Sequence, residues 1–118
     1  MLFAHGARDP RWAIPFERLA ERARQLRPDT HVSLAFLELM EPRLPERVAE
    51  LVQNGVTQLS VVPVFLGQGG HVLRDLPPLL DELREAYPEL DIRLSKAVGE
   101  DDAVQESIAK YCLSQLSA

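Results

Sequence analysis

Apolar positions along the chain fall into short unbroken runs separated by stretches where they recur every three to four residues. The runs are Leu2-Phe3-Ala4, residues 32–37 and residues 59–66, with a weaker alternation at Ile92, Leu94 and Lys96. Runs of this length predict buried strands, and the last predicts an edge strand. Between them Phe16, Leu19, Ala20, Ala23 and Leu26 recur at helical spacing, as do Leu44, Val48, Leu51 and Val52. A third set, Leu76, Leu79, Leu80 and Leu83, and a fourth, Val104, Ile108, Tyr111 and Leu116, give two more helices with a buried side each. Punctuation agrees: Pro28-Asp29 ends the first helix, Pro42 and Pro45 open the second, and Asn54-Gly55 closes it. Asp101 and Asp102 suit a helix N-terminus through the dipole. Pro63 predicts a bulge in the third strand or its end near Val62, because proline cannot donate to a ladder. Pro77 and Pro78 suggest that the third helix starts later than His71.

The order β-α-β-α-β-α-β-α implies an α/β domain, a parallel sheet with helices on both faces in three layers. With 118 residues the chain fits a single domain, 1–118, and the 46% apolar content allows a real core. A net charge of −5 argues against a general nucleic-acid or anionic-membrane binder. The lone cysteine, Cys112, permits neither an intrachain disulfide nor a Cys-based zinc site, and it reads as a small buried hydrophobe. The longest apolar run, residues 61–66, falls far short of a bilayer span, and no signal peptide is recognisable. The expectation is a cytoplasmic protein with no membrane partner.

In parallel α/β sheets ligands bind beyond the carboxyl ends of the strands. Strand 1 runs out into His5-Gly6-Ala7-Arg8, strand 2 into Glu38-Leu39-Met40-Glu41, and strand 3 into Gly67-Gln68-Gly69-Gly70-His71. Two of the three histidines and an acid thus belong to one rim. If the sheet order is 2-1-3-4, strands 1 and 3 flank the switch point and the two histidines meet across it. Neutral imidazole binds first-row divalent metals, and two histidines with one carboxylate leave positions open for exchange. Inserting such a metal into a free-base tetrapyrrole displaces two pyrrole protons. His5, Glu38 and His71 are the candidate ligands and bases. The basic residues Arg8, Arg11, Arg43 and Arg74 also follow these strands and could hold a polycarboxylate. Gly69 and Gly70 would keep the rim open to a flat, bulky ligand.

Each residue has a plainer reading. His5 could cap a turn, His71 could begin a helix, and Glu38 and Glu41 could be solvated. The arginines could be ordinary surface groups. His31, at the opposite rim, reads as a surface residue, and Trp12 and Phe16 as packing groups. The glycine-rich loop could cradle phosphate, but it lacks the Gly-Lys-Ser/Thr ending of a P-loop and the G-x-G-x-x-G pattern.

The segments FAHGARDPRW at 3–12, AFLELMEP at 35–42 and VVPVFLGQGGHVLRDLP at 61–77 resemble the short class II chelatases. These are the sirohydrochlorin cobaltochelatases of cobalamin (vitamin B12) biosynthesis and the related sirohydrochlorin ferrochelatases of sirohaem synthesis. The resemblance spans nearly the whole chain. It implies a four-stranded parallel sheet in order 2-1-3-4, metal-site histidines at His5 and His71, and an active-site acid at Glu38. Co²⁺, or Fe²⁺ or Ni²⁺, would be a substrate, with no permanently bound cofactor. Sirohydrochlorin, with eight carboxylates, would be the organic substrate. A homodimer mimicking longer two-domain relatives is implied as well, with Leu39, Met40 and Leu73 available to line its contact, the cleft or the core. Two rivals stand beside this reading. Histidine phosphatases place their nucleophile after an arginine, whereas Ala4 precedes His5 here. A metal chaperone using the same histidines would need no tetrapyrrole cleft.

Overall fold

In the computed structural model β1 (Leu2–Ala4) lies inside a four-stranded sheet of order β2-β1-β3-β4, flanked by β2 (Leu34–Phe36) and β3 (Gln58–Pro63). Residues 68–69 and 117–118, and the side chains of residues 70–73, lie outside the described residues. β4 (Asp91–Leu94) forms the far edge, and all three pairings are parallel. The register sets Leu2 beside Leu34 and Val62, and Leu59 beside Ile92. The chain reverses at β1, so β1 and β3 flank the switch point as the resemblance implied. No helix among the described residues is long and apolar enough to cross a membrane.

The strands are shorter than the apolar runs. β2 spans three residues of its run, and β3 stops at Pro63, without a bulge. Proline is tolerated there for a geometric reason. The neighbouring amides, Val62 N–H and Val64 N–H, donate to Met1 O and Phe3 O of β1 at 2.9 and 2.8 Å. The missing donor of Pro63 therefore faces the other side, where β4 has already ended at Leu94.

Side chains alternate across the sheet and divide the core in two. On one face Phe3, Ala35, Val61 and Ile92 pack under α2 (Leu44–Gln53) and α3 (Gly70–Ala86), which contribute Leu44, Val48, Leu76 and Leu80. On the other, Ala4 and Phe36 meet Ala13, Trp12 and Phe16 from a 3-10 turn (Pro10–Ala13) and the start of α1 (Ile14–Leu26). Trp12 stacks on Phe16 at 4.5 Å between ring centroids, in the packing role its sequence context suggested. α1 buries fully only Ala20 and leaves Leu19 and Leu26 exposed, because it lies over β1 and β2 and not the whole sheet.

Two expectations about helices are corrected. α3 begins at Gly70, before His71, and contains Pro77 and Pro78. Packing of Leu76, Leu80 and Leu83 beneath it outweighs the two amide donors that the prolines withhold from the helix. α4 (Asp102–Ser114) is well formed, with the Asp101 carboxylate accepting from Val104 N–H at 3.2 Å as its N-cap. Yet α4 buries no residue: Ile108, Tyr111, Leu116 and Cys112 are exposed. It rests chiefly on the 3-10 turn Val98–Glu100 and does not fold back over the sheet.

Three helix arginines hold backbone carbonyls at the sheet margins. Arg47 of α2 donates to Leu34 O at 2.9 Å, and Arg84 of α3 to Ile92 O at 2.9 Å. Arg24 of α1 donates to Val32 O at 2.8 Å, just ahead of β2.

Candidate active site

The ladder between β1 and β2 continues past both strands. Leu37 N–H donates to Ala4 O at 2.9 Å and Glu38 N–H to His5 O at 3.1 Å. This holds His5 beside Leu37 and Glu38, the two residues after β2, and the side chains meet: His5 Nε2 lies 2.9 Å from Glu38 Oε1. Both are partly open, with side-chain exposures of 36% and 47%, so the pair faces solvent at the carboxyl rim.

Two backbone features make this approach possible. Gly6 has φ +101°, and a Cβ placed on it would lie 1.8 Å from the carbonyl oxygen of Glu38. No side chain fits there, so the glycine is required by both conformation and close approach. On the other strand Leu39 has φ 69°, a left-handed conformation that costs a non-glycine residue about 1–2 kcal/mol. It turns the chain immediately after Glu38 and leaves the leucine side chain exposed, while Met40 packs against the buried cluster of Ala4, Ala13 and Phe36.

A carboxylate on Nε2 of an imidazole can do one of two things. It can orient the ring and raise its basicity, or it can itself accept a proton. Among the described residues no group of three or more His, Cys, Asp or Glu is gathered. The side chain of His71 and the whole of Gly69 lie outside the described residues, so the pairing of His5 with His71 does too. Gly70 is the first residue of α3, which puts the loop after β3 on the rim that holds His5.

The arginines separate into two kinds. Arg8, Arg43 and Arg74 are exposed. Arg11 is already engaged: its guanidinium donates to Asp9 at 2.6–3.1 Å, and Asp9 also accepts from the Arg11 amide at 2.9 Å. That hydrogen bonding holds the Asp9 carboxyl below the usual carboxylate range. The Arg11 guanidinium is thus already engaged by Asp9. The sequence signal was available, since an aspartate before Pro10 is an N-cap in waiting.

Sequence reading missed Gly99. Its N–H donates to Phe65 O at 2.9 Å, and a Cβ there would come within 1.9 Å of Leu66 O. This buried glycine lets the turn after β4 press against the start of the loop that follows β3. Nothing in local sequence announces it, because the contact depends on strand register.

The described site is thus a histidine–carboxylate pair on the open switch-point rim of a parallel sheet. The chain belongs to the CbiX family, whose model matches residues 1–113. It is 38% identical over 80 residues to a sirohydrochlorin cobaltochelatase of Methanopyrus kandleri, covering 68% of this chain and 56% of that one. It is 35% identical over 87 residues to one of Methanocaldococcus jannaschii, covering 74% and 61%. The match thus spans less than two thirds of either relative. With a third, of Methanosarcina acetivorans, it shares 29% over 117 residues, 93% of this chain and 90% of that one. Among solved structures, one described as a cobalamin (vitamin B12) biosynthesis CbiX protein from Marinobacter aquaeolei VT8 superposes with TM-score 0.83 at 32% identity, covering 97% and 92%. SirB from Bacillus subtilis with Fe3+ shares the fold, with TM-score 0.83 at 23% identity over 99% of this chain and 46% of that one.

Proposed function

We propose that this protein inserts Co²⁺ into sirohydrochlorin, releasing two protons per metal. The observation that carries the proposal is the 2.9 Å contact between His5 Nε2 and Glu38 Oε1, held at the rim by Gly6. His5 delivers the metal as an imidazole ligand, with His71 as second ligand from the first turn of α3. Glu38 orients His5 and takes a pyrrole proton as the metal enters. Arg8, Arg43 and Arg74 bind substrate carboxylates, and Gly69 and Gly70 leave room for the macrocycle. The names of the Methanopyrus, Methanocaldococcus and Methanosarcina relatives support both cobalt and sirohydrochlorin. The chain works as one domain in the cytoplasm, without nucleic acid or membrane. It acts as a homodimer whose second copy adds a wall to a shallow site, as ligand sites are generally concave.

The test is an insertion assay with sirohydrochlorin against Co²⁺, Fe²⁺ and Ni²⁺, followed by absorbance. Cobalt is expected to react fastest. His5→Ala should abolish turnover at limiting metal, and Glu38→Gln should lower it about 10–100-fold, the range for a carboxylate that supports a metal-binding histidine. Near-wild-type turnover in His5→Ala would overturn the assignment. Metal binding without any uptake of sirohydrochlorin would point to a carrier instead.

A further inference from the structure

Two exposed leucines flank the His5–Glu38 pair, and the backbone fixes both. Leu39 follows Glu38 directly and is 50% exposed, and Leu66, in the loop after β3, is 66% exposed. An exposed leucine alone means little, since much of any protein surface is apolar. These two differ from Leu26 and Leu113, exposed on helices, in how they are held. Among the described non-glycine residues Leu39 alone has a positive φ, 69°. Glycine or asparagine would take that turn at lower cost, so the turn itself does not call for leucine. Leu66 is fixed from the β4 side. Gly99 N–H donates to Phe65 O at 2.9 Å, and a Cβ on Gly99 would lie 1.9 Å from Leu66 O and 2.3 Å from Leu66 Cα. β2 and β3, which lead into the two leucines, are the two neighbours of β1. The leucines therefore stand to either side of the strand that runs out into His5, on strands about 10 Å apart.

We propose that Leu39 and Leu66 are the apolar rests on which the face of the tetrapyrrole lies, and that they set its position over His5. This rests on the insertion reaction proposed above and adds to it the residues that place the ring. A tetrapyrrole is apolar across its ring face and carries its carboxylates at the periphery. A site for it needs apolar contacts beside the metal donor and cations farther out. The exposed Arg8, Arg43 and Arg74 answer the periphery, and Leu39 and Leu66 answer the face. Contacts on both sides of His5 resist tilting of a flat ring, which a single contact would not. Because both backbones are already fixed, little freedom is lost when the ring arrives, the condition under which buried area contributes most to affinity. The strain at Leu39 then has a use: bulky residues are kept in such conformations chiefly at ligand and catalytic sites.

Sirohydrochlorin binding to the full chain without metal, followed by absorbance, reads this directly. Leu39→Asn retains a residue that accepts the left-handed turn and removes the apolar body, and Leu39→Gly does the same where the turn costs least. These variants and Leu66→Asn should each weaken binding about tenfold, the worth of roughly half a buried leucine. Leu39→Asn combined with Leu66→Asn should multiply the losses, to about 100-fold. The loss should persist in about 0.5 M salt, unlike that of an arginine contact, and Leu39→Met should restore most of the affinity. Co²⁺ alone should bind every variant as it binds the wild type, and the urea midpoint of Leu39→Gly should not fall. Wild-type affinity in Leu39→Gly or in Leu66→Asn overturns the inference and leaves the insertion reaction standing. So does a Leu39→Met that binds as poorly as Leu39→Asn, or a loss that vanishes in salt. A wild type that binds Co²⁺ but no sirohydrochlorin overturns both.

Discussion

α3 and α4 are alike in sequence and opposite in place. Each carries apolar residues at helical spacing, yet α3 buries Leu76, Leu80 and Leu83 in the main core and α4 buries none. The difference lies in what each can reach. α3 follows β3 and returns over the β3–β4 half of the sheet, where Val61 and Ile92 offer an apolar floor. On the opposite face the same strands present Gln58, Ser60, Asp91 and Arg93, all exposed. A helix returning there would have covered a polar surface, and α4 does not return. Amphipathicity thus marks a side suited to burial, but not whether the sheet offers an apolar floor within its reach.

The largest test of that contrast is Leu80→Ala against Ile108→Ala. The first leaves a cavity under α3 and should cost about 2–5 kcal/mol in urea unfolding. The second, measured at low protein concentration, should stay within about 0.5 kcal/mol. Equal losses would mean that α4 is packed within its own chain.

Between the buried and the open helix lies the rim, where backbone and not side chain is packed. Gly6→Ala forces a methyl group onto Glu38 O, so His5 and Glu38 must separate. The expected cost is about 1–3 kcal/mol of stability, with turnover falling at least as far as in Glu38→Gln. Wild-type turnover in this variant would show that the close approach is not needed.

A smaller effect concerns exposed charge. Replacing Arg8, Arg43 or Arg74 by Glu should raise KM for sirohydrochlorin several-fold at low ionic strength, and the increase should shrink in about 0.5 M salt as screening shortens to a few ångströms. Arg11→Gln breaks the Asp9 pair but should move KM less than Gln at Arg8, Arg43 or Arg74, since the Arg11 donors are already engaged by Asp9. If Arg11 proves the most sensitive of the four, the division of the arginines is wrong. Smallest of all, Cys112→Ser should change chain stability by less than about 0.5 kcal/mol, because the thiol is exposed.

Much of this was legible in the chain. The alternation of apolar runs and helical spacing gave the eight elements in order, and His5 and Glu38 were recognisable as the first residues past two buried runs. Their contact was not, because it needs β1 and β2 to be neighbours in register, and nothing local states that. The boundaries of α3 were misjudged since proline propensity was weighed without the core beneath Leu80. Cys112 and the apolar side of α4 were placed in a core because hydropathy records a preference for burial and is silent about distance from the sheet. Arg11 looked like its neighbours until Asp9 was seen to hold it.

The arginines at the sheet margins have a consequence for the fate of the chain in a crowded solution. A parallel sheet with two open sides exposes outward-pointing peptide groups that invite strands from other molecules. Here Arg47 occupies Leu34 O and Arg84 occupies Ile92 O, while Phe36 N–H is taken by Pro42 O. Each border strand is also short, three residues in β2 and four in β4. Short borders with part of their outward peptide groups already occupied offer little length for strand addition, the first step towards fibrous aggregates.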